Sequence, residues 1–389
     1  MNLVDIAIIL VLGLAAAHGV TQGAALQVLS FGGFWLGLLI GAALAPIFSK
    51  IAGSSVVASA FISLLTFFGF AIIGGAGGRY VGTHAWGALR RLKLGPADAG
   101  LGAIVAVIAA LFAIWLVAVL LTAGPTRSVA RAVNKSVIVR TLVEKLPPAP
   151  SVFTRLQGLI ASTPFPRVFS GLEPVPAGPV PVPGGAVIQS AVKAAGNSTV
   201  RIVGVGCGGV QTGSGFVVSS NLVLTNAHVV AGISSPEVQD SVGGHRSTPV
   251  LFDPELDVAV LRTTNLREPV LPLLDSDAPR GQGGAVLGYP GGGKFDAEAG
   301  AVLRKFIATG RDIYGRNLTR RDVYQLQALI RQGNSGGPFV RKDGEVLGVV
   351  FAASTTENNV GYALTSAEVI PRVNQAKSSG PVGTGSCAS

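Results

Sequence analysis

Three residues in the C-terminal half have the types and the order that nucleophilic catalysis requires. Ser335 lies in the stretch RQGNSGGPFV, with glycines close on both sides. A serine hydroxyl becomes a nucleophile when a base removes its proton, and the usual base is a histidine oriented by a carboxylate. His228, in LVLTNAHVV, and Asp257, in DPELDVAVLR, are the candidates for these two roles. The pattern predicts acyl transfer with Ser335 as nucleophile, His228 as general base and Asp257 as its orienting group.

Each of these residues also has a purely structural interpretation. A serine among Gly, Asn and Pro is typical of a surface turn, and an aspartate that opens a strand usually caps a turn. A histidine at the end of a strand is usually a hydrogen-bonded structural residue. The other histidine of this half, His245, lies in the polar stretch GGHRS. Only the three residues together favour catalysis.

The sequence around these residues predicts β-strands. Short runs rich in β-branched residues alternate with Gly, Asn and Asp: TVRIVGV, SGFVVSS, LVLTNAHVV, DVAVLRT, GAVLGYP and EVLGVVFA. Short strands with regular turn signals are typical of an all-β barrel or sandwich. A C-terminal domain over residues 190–389 is long enough for two small barrels.

The first 122 residues have the composition of a membrane domain. They carry five Lys/Arg and two Asp/Glu. Four apolar runs have about the 20 residues that a helix needs to span a bilayer: 3–21, 27–48, 57–78 and 101–122. The first run lacks a basic n-region and is followed at once by a second span, so it is not read as a cleaved signal peptide. The sequence therefore predicts an all-α, four-helix transmembrane domain over residues 1–125.

Basic residues between the third and fourth runs set the predicted orientation. The positive-inside rule places this loop, 79–100, in the cytoplasm, so that both ends of the block lie outside the cytoplasmic membrane. The stretch 127–145 is also basic, which opposes this orientation. Its apolar residues recur at helical spacing, which predicts an amphipathic helix on the outer face of the membrane.

Residues 126–189 are predicted to link the two domains. Proline recurs from 146 to 186, in LPPAP, TPFP and EPVPAGPVPVPGG. Such a composition favours extended polyproline II and resists packing. We therefore expect a semi-rigid tether, exposed to cleavage.

Cysteine usage and charge limit the cofactors and partners. Cys207 and Cys387 fit no metal spacing, so they are either two core thiols or one disulfide, and a chain that enters a membrane favours the disulfide. No cofactor and no metal are predicted. The formal net charge is +10, but the basic residues are scattered or lie beside membrane segments, so nucleic acid is not a predicted partner.

The C-terminal motifs closely resemble the trypsin-like superfamily and, within it, the HtrA-like branch. TGSGFVVSSNLVLTNAHVV, DPELDVAVLR, GNSGGPFV and GEVLGVVFA match that branch in order, over residues 195–375. The resemblance implies a chymotrypsin-like double β-barrel and a serine endopeptidase. It also implies that the backbone N–H groups of Gly333 and Ser335 form the oxyanion hole. Leu329, six residues before the nucleophile, would lie at the base of the P1 pocket, which favours apolar P1 residues of small to medium size.

Two features depart from this superfamily. Asn334 stands where many trypsin-like enzymes have an aspartate that pairs with a newly cleaved N-terminus. The segment Arg201–Gly204 (RIVG) resembles such a cleavage site, but Asn334 has no charge to receive an amine, so activation of the tryptic type is not expected. The residues after TSAEVI are too few for the PDZ domain that usually follows an HtrA protease.

Taken over its full length, the chain resembles the MarP-like membrane-anchored periplasmic serine proteases. Its first part is similar to the colicin V production protein family. The features shared with the MarP-like proteases are four spans, a proline tether, a protease without a PDZ domain and two cysteines that bracket it. The resemblance implies a Cys207–Cys387 disulfide, protein substrates in the cell envelope or periplasm, and a role in acid or oxidative stress. A protease tethered beside its own linker is also expected to cleave itself there.

Two alternatives remain open at this stage. A non-catalytic pseudoprotease would keep the fold and only bind peptides, although all three catalytic residue types are present. A four-span transporter or channel could use the protease-like domain as a regulator, although the predicted spans carry almost no ionisable residue at mid-membrane depth, where transport sites usually have one. A metalloenzyme is disfavoured because the sequence has no cluster of His, Cys and Asp.

Overall fold

The computed structural model describes residues 2–48, 56–91, 95–121, 127–146 and 168–388. The chain divides into two compact units. The first consists of Met1–Val117 with Ser136–Leu142 and is helical where it is described. The second consists of Ala118–Lys135 with Val143–Ser389 and contains the strands.

Apolar helices make up most of the N-terminal part: α1 Leu3–Gln22, α2 Ala24–Phe48, α3 Val56–Arg91 and α4 Gly95–Leu121. Within the described residues, three stretches are long and apolar enough to cross a membrane: Leu3–Gln22, Ala24–Gly41 and Gly95–Ala118. The remaining predicted span, 57–78, falls within α3. The predicted loop 79–100 is helical up to Arg91 and again from Gly95, because its Ala, Leu and Arg residues are strong helix formers.

Helices α2 and α3 pack with their backbones in contact. A Cβ atom on Gly33 would lie 2.2 Å from the carbonyl oxygen of Gly74, and one on Gly74 would lie 2.2 Å from that of Gly33. Gly37 and Gly78 follow these two glycines at a spacing of four residues and make equally close approaches. Small residues at this spacing let two membrane helices approach closely without side chains between them.

The basic stretch 127–145 forms two helices rather than the single helix predicted. They are α5 (Arg127–Asn134) and α6 (Val137–Lys145). Ser136 lies between them, and its Oγ accepts a hydrogen bond from a backbone N–H of α6 at 3.2 Å. The same hydroxyl donates to Asp5 Oδ1 at 2.6 Å. Ser136 therefore caps α6 and separates it from α5, because a capping residue needs non-helical backbone.

The strands of the second unit form two closed barrels, ordered β1-β2-β3-β6-β5-β4 and β10-β11-β12-β9-β8-β7, with neighbours antiparallel. The first barrel contains β1 Thr199–Gly206, β2 Gly209–Ser219, β3 Leu222–Thr225, β4 Glu237–Gln239, β5 Gly244–Asp253 and β6 Val258–Thr263. The second contains β7 Gly283–Gly288, β8 Asp296–Arg311, β9 Leu318–Ala328, β10 Pro338–Val340, β11 Val346–Ala353 and β12 Val360–Thr365. The described residues of this unit also form the α-helices α7 Gly185–Ala195, α8 Ala227–Val230 and α9 Ser366–Ser378.

Side chains along β1 show how the strands build the core. Val200 and Ile202 are fully buried in the first barrel, whereas Arg201 between them is half-buried. Successive side chains of a strand point to opposite faces, so Arg201 lies on the outer face of this barrel. This face is directed towards the second barrel, as the contacts of Arg201 described below show.

Residues 168–184, here called the strap, belong to the predicted linker but pack against the second barrel. Val168 and Val180 are buried in a core cluster to which both barrels contribute. Phe169 stacks on Phe306 with ring centroids 6.0 Å apart. Glu173 is 6% exposed and accepts a 2.7 Å hydrogen bond from the Tyr362 hydroxyl. This part of the linker is therefore docked rather than free.

Long side chains of the barrel supply the hydrogen bonds that the strap cannot make to itself. Gln325 and Gln327 of β9 accept from two strap N–H groups at 3.3 and 3.0 Å. Arg304 and Arg280 donate to two strap carbonyl groups at 3.0 and 2.6 Å. Because proline has no N–H, the strap has few donors to satisfy, and these four side chains meet much of its demand.

A disulfide joins Cys207 to Cys387 across 180 residues of sequence, as the resemblance implied. It lies beside Gly232, where an added Cβ would be 2.7 Å from Cys207 Sγ and 3.1 Å from Cys387 Sγ. The tail before Cys387 is held on the first barrel, where Thr384 Oγ1 donates to the carbonyl of Ile233 at 2.8 Å. The bond thus attaches the C-terminal tail to the turn between β1 and β2, beside the segment that follows α8.

Reduction of this disulfide is expected to lower both stability and activity. Closing a loop of this length contributes up to about 5 kcal/mol in the chain-entropy model. For a domain of this size, that corresponds to a fall in the unfolding midpoint on the order of 10 °C. Cys207→Ser and Cys387→Ser should give equal losses, measured by thermal unfolding and peptide hydrolysis, and the double variant should be no worse. If a reductant changes neither the unfolding midpoint nor the peptide hydrolysis of the wild-type protein, this prediction is wrong.

Candidate active site

The antiparallel pairing of β3 with β6 brings His228 and Asp257 together. Thr225, at the end of β3, pairs with Ala259 of β6, so α8 begins beside the turn that precedes β6. The Nδ1 atom of His228 lies 2.8 Å from Oδ2 of Asp257. The backbone N–H of His228 donates to the other carboxylate oxygen, Oδ1, at 2.9 Å. Two contacts from one carboxylate therefore fix both the ring and the backbone of His228.

The carboxylate of Asp257 is held in a strained and buried turn. Asp257 is 1% exposed and has φ +63°, a left-handed conformation that aspartate tolerates better than most residues. Asn226 Nδ2 donates to its carbonyl group at 2.8 Å. From the second barrel, the buried Arg321 donates to the carbonyl of Glu255 in the same turn at 2.8 Å. Burial lowers the pKa of Arg321, while Asp257 and other carboxylates around it act in the opposite direction.

Ser335 lies in the loop between β9 and β10 and is 5% exposed. Its carbonyl accepts from Ser214 N of the first barrel at 2.8 Å. Gly336, the next residue, has φ +82°, and a Cβ there would lie 2.1 Å from the carbonyl oxygen of Ser214 and 3.1 Å from Asn226 N. The glycine after the serine is therefore needed so that the loop can lie against the strand end that carries His228.

The backbone N–H groups of Gly333 and Ser335 have no acceptor among the described residues, whereas those of Asn334, Gly336 and Gly337 are all hydrogen-bonded. The carbonyl before Gly333 accepts from Gly291 N at 2.6 Å, and the carbonyl before Ser335 accepts from Gly337 N at 2.9 Å. In a trans peptide the N–H points away from the carbonyl. Each free N–H is therefore directed away from these contacts, which is what an oxyanion hole requires.

No hydrogen bond joins the Ser335 hydroxyl to the His228 ring. Such contacts often tighten only when substrate binds. The candidate triad is divided between the barrels, with His228 and Asp257 on the first and Ser335 on the second. The relative position of the two barrels therefore determines its geometry.

The residues before the loop give the expected P1 side of the site an apolar character. Leu329 is half-buried just after β9, and Ile330 is 6% exposed. Ile330 presses on β12, where a Cβ on Gly361 would lie 2.1 Å from Ile330 Cγ1. The nearby Arg331 pairs with Asp296 and Glu298 at 2.8 and 2.6 Å. Neither Leu329 nor Ile330 offers a charge to a substrate side chain.

Asn334 and Arg201 occupy positions that do not suit tryptic activation. Asn334 is 1% exposed, and its Oδ1 accepts from the N–H of Arg331 at 3.1 Å. Arg201 lies within β1 and is paired with Ser214 of β2 and Gln239 of β4. Cutting the chain at Arg201 would open the first barrel.

The second histidine forms a separate pair at the β4–β5 hairpin. His245 Nε2 lies 2.7 Å from Asp240 Oδ2. Burial opposes ionisation of Asp240, but hydrogen bonds from Gly243 N, Val242 N and His245 outweigh it and hold the pKa of this carboxyl below its ordinary value. No serine loop is paired with His245. Among the described residues, no group of three His, Cys, Asp or Glu side chains could hold a metal ion.

Comparisons with known proteins place this geometry in a family. Residues 213–349 match the trypsin-like peptidase domain family, and residues 4–147 match the colicin V production protein family. The serine protease Rv3671c of Mycobacterium tuberculosis strain H37Rv is 36% identical over 392 residues, which cover 99% of this chain and 98% of that protein. This chain belongs to the Rv3671c family of serine proteases. It is a serine endopeptidase, and the predicted resemblance to MarP-like proteases is confirmed.

A solved structure of Rv3671c and a second relative both agree with this assignment over the second domain. The crystal structure of the Rv3671c protease from M. tuberculosis in its active form is 39% identical, with a TM-score of 0.54, and covers 56% of this chain and 97% of that chain. A probable periplasmic serine endoprotease, DegP-like, of Marinomonas sp. strain MWYL1 is 34% identical over 44% of this chain and 36% of that protein. The likeness to the Rv3671c structure confirms that the C-terminal domain has the chymotrypsin-like protease fold that the motifs predicted.

Several residues that hold this site were not singled out in the sequence. Ser214, Asn226 and Arg321 all contact the backbone of the turns that carry the candidate triad. Ser214 and Asn226 lie within TGSGFVVSSNLVLTNAHVV, a motif that signalled the family without indicating what these side chains do. Arg321 lies in β9, 66 residues from Glu255, whose carbonyl it contacts, and no local motif indicates this contact.

Proposed function

We propose that this chain is a membrane-anchored serine endopeptidase that cleaves proteins outside the cytoplasmic membrane. The observation that carries the proposal is the combination of the His228–Asp257 pair with the adjacent Ser335 loop. That loop presents two N–H groups without internal acceptors. A protein that only binds peptides has no need for both arrangements.

In the proposed mechanism, the Ser335 hydroxyl attacks the scissile carbonyl while His228 accepts its proton at Nε2. Asp257 holds the ring through Nδ1 and stabilises the imidazolium that forms. The N–H groups of Gly333 and Ser335 bind the oxyanion of the tetrahedral intermediate. His228 then donates its proton to the leaving amine, and water hydrolyses the acyl-enzyme by the same steps.

The proposed location follows from the N-terminal helices. Three helical stretches are apolar enough to span a bilayer, and we propose that α3 is a fourth span. Four spans with a basic cytoplasmic segment would place the protease domain on the extracytoplasmic, periplasmic side. The disulfide supports this side, because such bonds persist in oxidising compartments.

Within this arrangement, residues 1–125 are the anchor, 126–189 the linker with its docked strap, and 190–389 the protease. The partners proposed are the membrane and envelope or periplasmic proteins as substrates, with no nucleic acid and no cofactor. A role in envelope protein processing during acid or oxidative stress fits the family and the disulfide near the His228 segment.

Cleavage of a peptide library by the full-length protein in detergent tests the proposal. We expect cleavage after apolar P1 residues of small to medium size, because Leu329 and Ile330 offer no charge to pair with Lys or Arg. The matched control is Ser335→Ala, which should cleave none of the peptides. A strong preference for P1 Arg or Lys would contradict the role of Leu329, and equal cleavage by Ser335→Ala would contradict the mechanism.

Self-cleavage in the linker is expected, because the protease is tethered at high effective concentration beside it. Part of the predicted tether, residues 147–167, lies outside the described residues. The strap should be spared, because its hydrogen bonds to β8 and β9 must break before it can enter the site as an extended chain. Incubation of purified wild-type protein, followed by N-terminal sequencing, should place the cut outside residues 168–184. Equal clipping of Ser335→Ala would show that another protease makes the cut.

A further inference from the structure

A glycine-rich turn lies directly behind the candidate oxyanion hole. Residues 290–293 read PGGG, and Gly291 and Gly292 have φ +65° and +68°. Three consecutive glycines give a turn little stiffness of its own, since glycine has the widest conformational freedom. One hydrogen bond lies within the turn, from Gly293 N to the carbonyl of Pro290 at 3.1 Å, and contacts from outside the turn therefore help to fix its shape.

This turn orients the peptide group that carries the Gly333 N–H. Gly291 N donates to the carbonyl of Gln332 at 2.6 Å, and this carbonyl belongs to the same peptide as the Gly333 N–H. An added Cβ on Gly333, which has φ +92°, would lie 2.4 Å from the carbonyl oxygen of Tyr289. The turn and the oxyanion peptide are thus in direct backbone contact, and displacement of one displaces the other.

Arg201 of the first barrel holds the turn from the opposite side. Its Nη1 donates to the carbonyl of Gly292 at 2.8 Å. Its Nε donates to Gln239 Oε1 at 2.8 Å, and Nη2 donates to the same oxygen. Gln239 is in turn held by Glu237, whose Oε1 accepts from Gln239 Nε2 at 2.5 Å. A planar guanidinium anchored on one edge by Gln239 presents Nη1 to the turn in a fixed direction.

A second side chain of the same barrel acts on the next peptide group, which joins Gly333 to Asn334. Ser214 is the cross-strand partner of Arg201. Its hydroxyl donates to the carbonyl of Gly333 at 2.6 Å and accepts from Tyr289 N at 2.9 Å. The carbonyl groups on both sides of Gly333 are therefore fixed, one directly by Ser214 and the other through the turn that Arg201 holds.

We infer that Arg201 is a positioning residue for the oxyanion hole. It acts from the first barrel, through the turn 290–293, on the direction of the Gly333 N–H. The inference rests on the proposed proteolytic mechanism. It also assigns a role to the RIVG segment, whose arginine is a brace within β1 and not a processing site. Arg201 contacts no reacting atom, so its removal lowers the rate of acylation without removing a catalytic group.

The test compares Arg201→Met, Arg201→Lys and the matched control Arg267→Met in the full-length protein in detergent. Arg201→Met keeps an unbranched apolar stem and removes the donors. Arg201→Lys keeps the charge and one donor direction. Arg267 is an exposed arginine of the loop after β6, outside the site. The measurements are kcat and KM on an internally quenched peptide, the inhibition constant of a peptide boronate of the same sequence, and the unfolding midpoint.

A small misplacement of reacting groups costs up to about a hundredfold in rate, and a loosened turn should cost about tenfold in kcat for Arg201→Met. KM should stay within twofold, and boronate affinity should fall in proportion to kcat, because the boronate also uses the oxyanion hole. Arg201→Lys should be intermediate, and Arg267→Met should match the wild type.

Two results would overturn the inference. One is wild-type kcat and boronate affinity in a folded Arg201→Met protein. The other is a fall in kcat together with a rise in KM and a lower unfolding midpoint in both Arg201 variants, which would indicate a structural role alone. Wild-type and Ser335→Ala proteins run in the same assay separate this inference from the proposed function. If wild type is active and Ser335→Ala is not, proteolysis by Ser335 stands whatever Arg201 does.

Discussion

Ser335→Ala and His228→Ala should each lower kcat by a factor on the order of 10⁶, because nucleophile and base act as a unit. For the same reason, the double variant should be no slower than either single variant. Initial rates on an internally quenched peptide, with fluorophosphonate labelling of the serine as a second readout, would measure the loss.

The two variants should differ in stability. The Ser335 hydroxyl makes no hydrogen bond to another described residue, so Ser335→Ala should keep the wild-type unfolding midpoint. His228→Ala leaves one oxygen of the buried Asp257 carboxylate without its ring partner, which costs about 1–3 kcal/mol. A Ser335→Ala protein that is both folded and active would reject Ser335 as the nucleophile.

Asp257→Asn should lower kcat by about 10⁴, because the amide would hold the imidazole in the wrong tautomer. The local contacts determine how the amide must lie. The backbone N–H of His228 needs an acceptor, so the amide oxygen takes the place of Oδ1 and the NH₂ group faces Nδ1. Nδ1 then accepts, the ring proton moves to Nε2, and His228 can no longer take the proton of Ser335.

The chain provides a matched control for this substitution. Asp240→Asn makes the same change in the other His–Asp pair, at His245, on the same barrel. Its activity should stay within twofold of the wild type, because this pair lies at the β4–β5 hairpin and has no serine partner. If both variants lose activity equally, a general electrostatic or stability effect, and not the tautomer of His228, would explain the loss.

The parts of the site that depend on local sequence could be predicted. The order of His228, Asp257 and Ser335 indicated the chemistry. The glycines beside the serine were a second signal, because the backbone conformation at their own positions requires glycine. Gly336 has a positive φ and no room for a Cβ, so its structural requirement is visible in the sequence as the residue type glycine. The strands could be predicted because they are short runs rich in β-branched residues, separated by Gly, Asn and Asp at the turns.

Features that depend on distant side chains could not be predicted in the same way. The strap reads as a free proline tether, because composition reports local stiffness and not the presence of Gln325 or Arg304 about 130 to 150 residues later. The break between α5 and α6 depends on Ser136 and on Asp5 near the N-terminus. Arg201 likewise reads as part of a cleavage motif until Gln239 and Gly292 are seen around its guanidinium.

The disulfide has a consequence for the period in which the chain is synthesised. Cys207 follows β1, whereas Cys387 follows β12, and 180 residues separate them. At about 5–20 residues per second, a ribosome needs about 10–40 s to travel from one codon to the other. During that interval, Cys207 is a lone thiol that can react only with other molecules. A chain truncated before Cys387 never acquires its partner, so the bond distinguishes finished protease domains from unfinished ones.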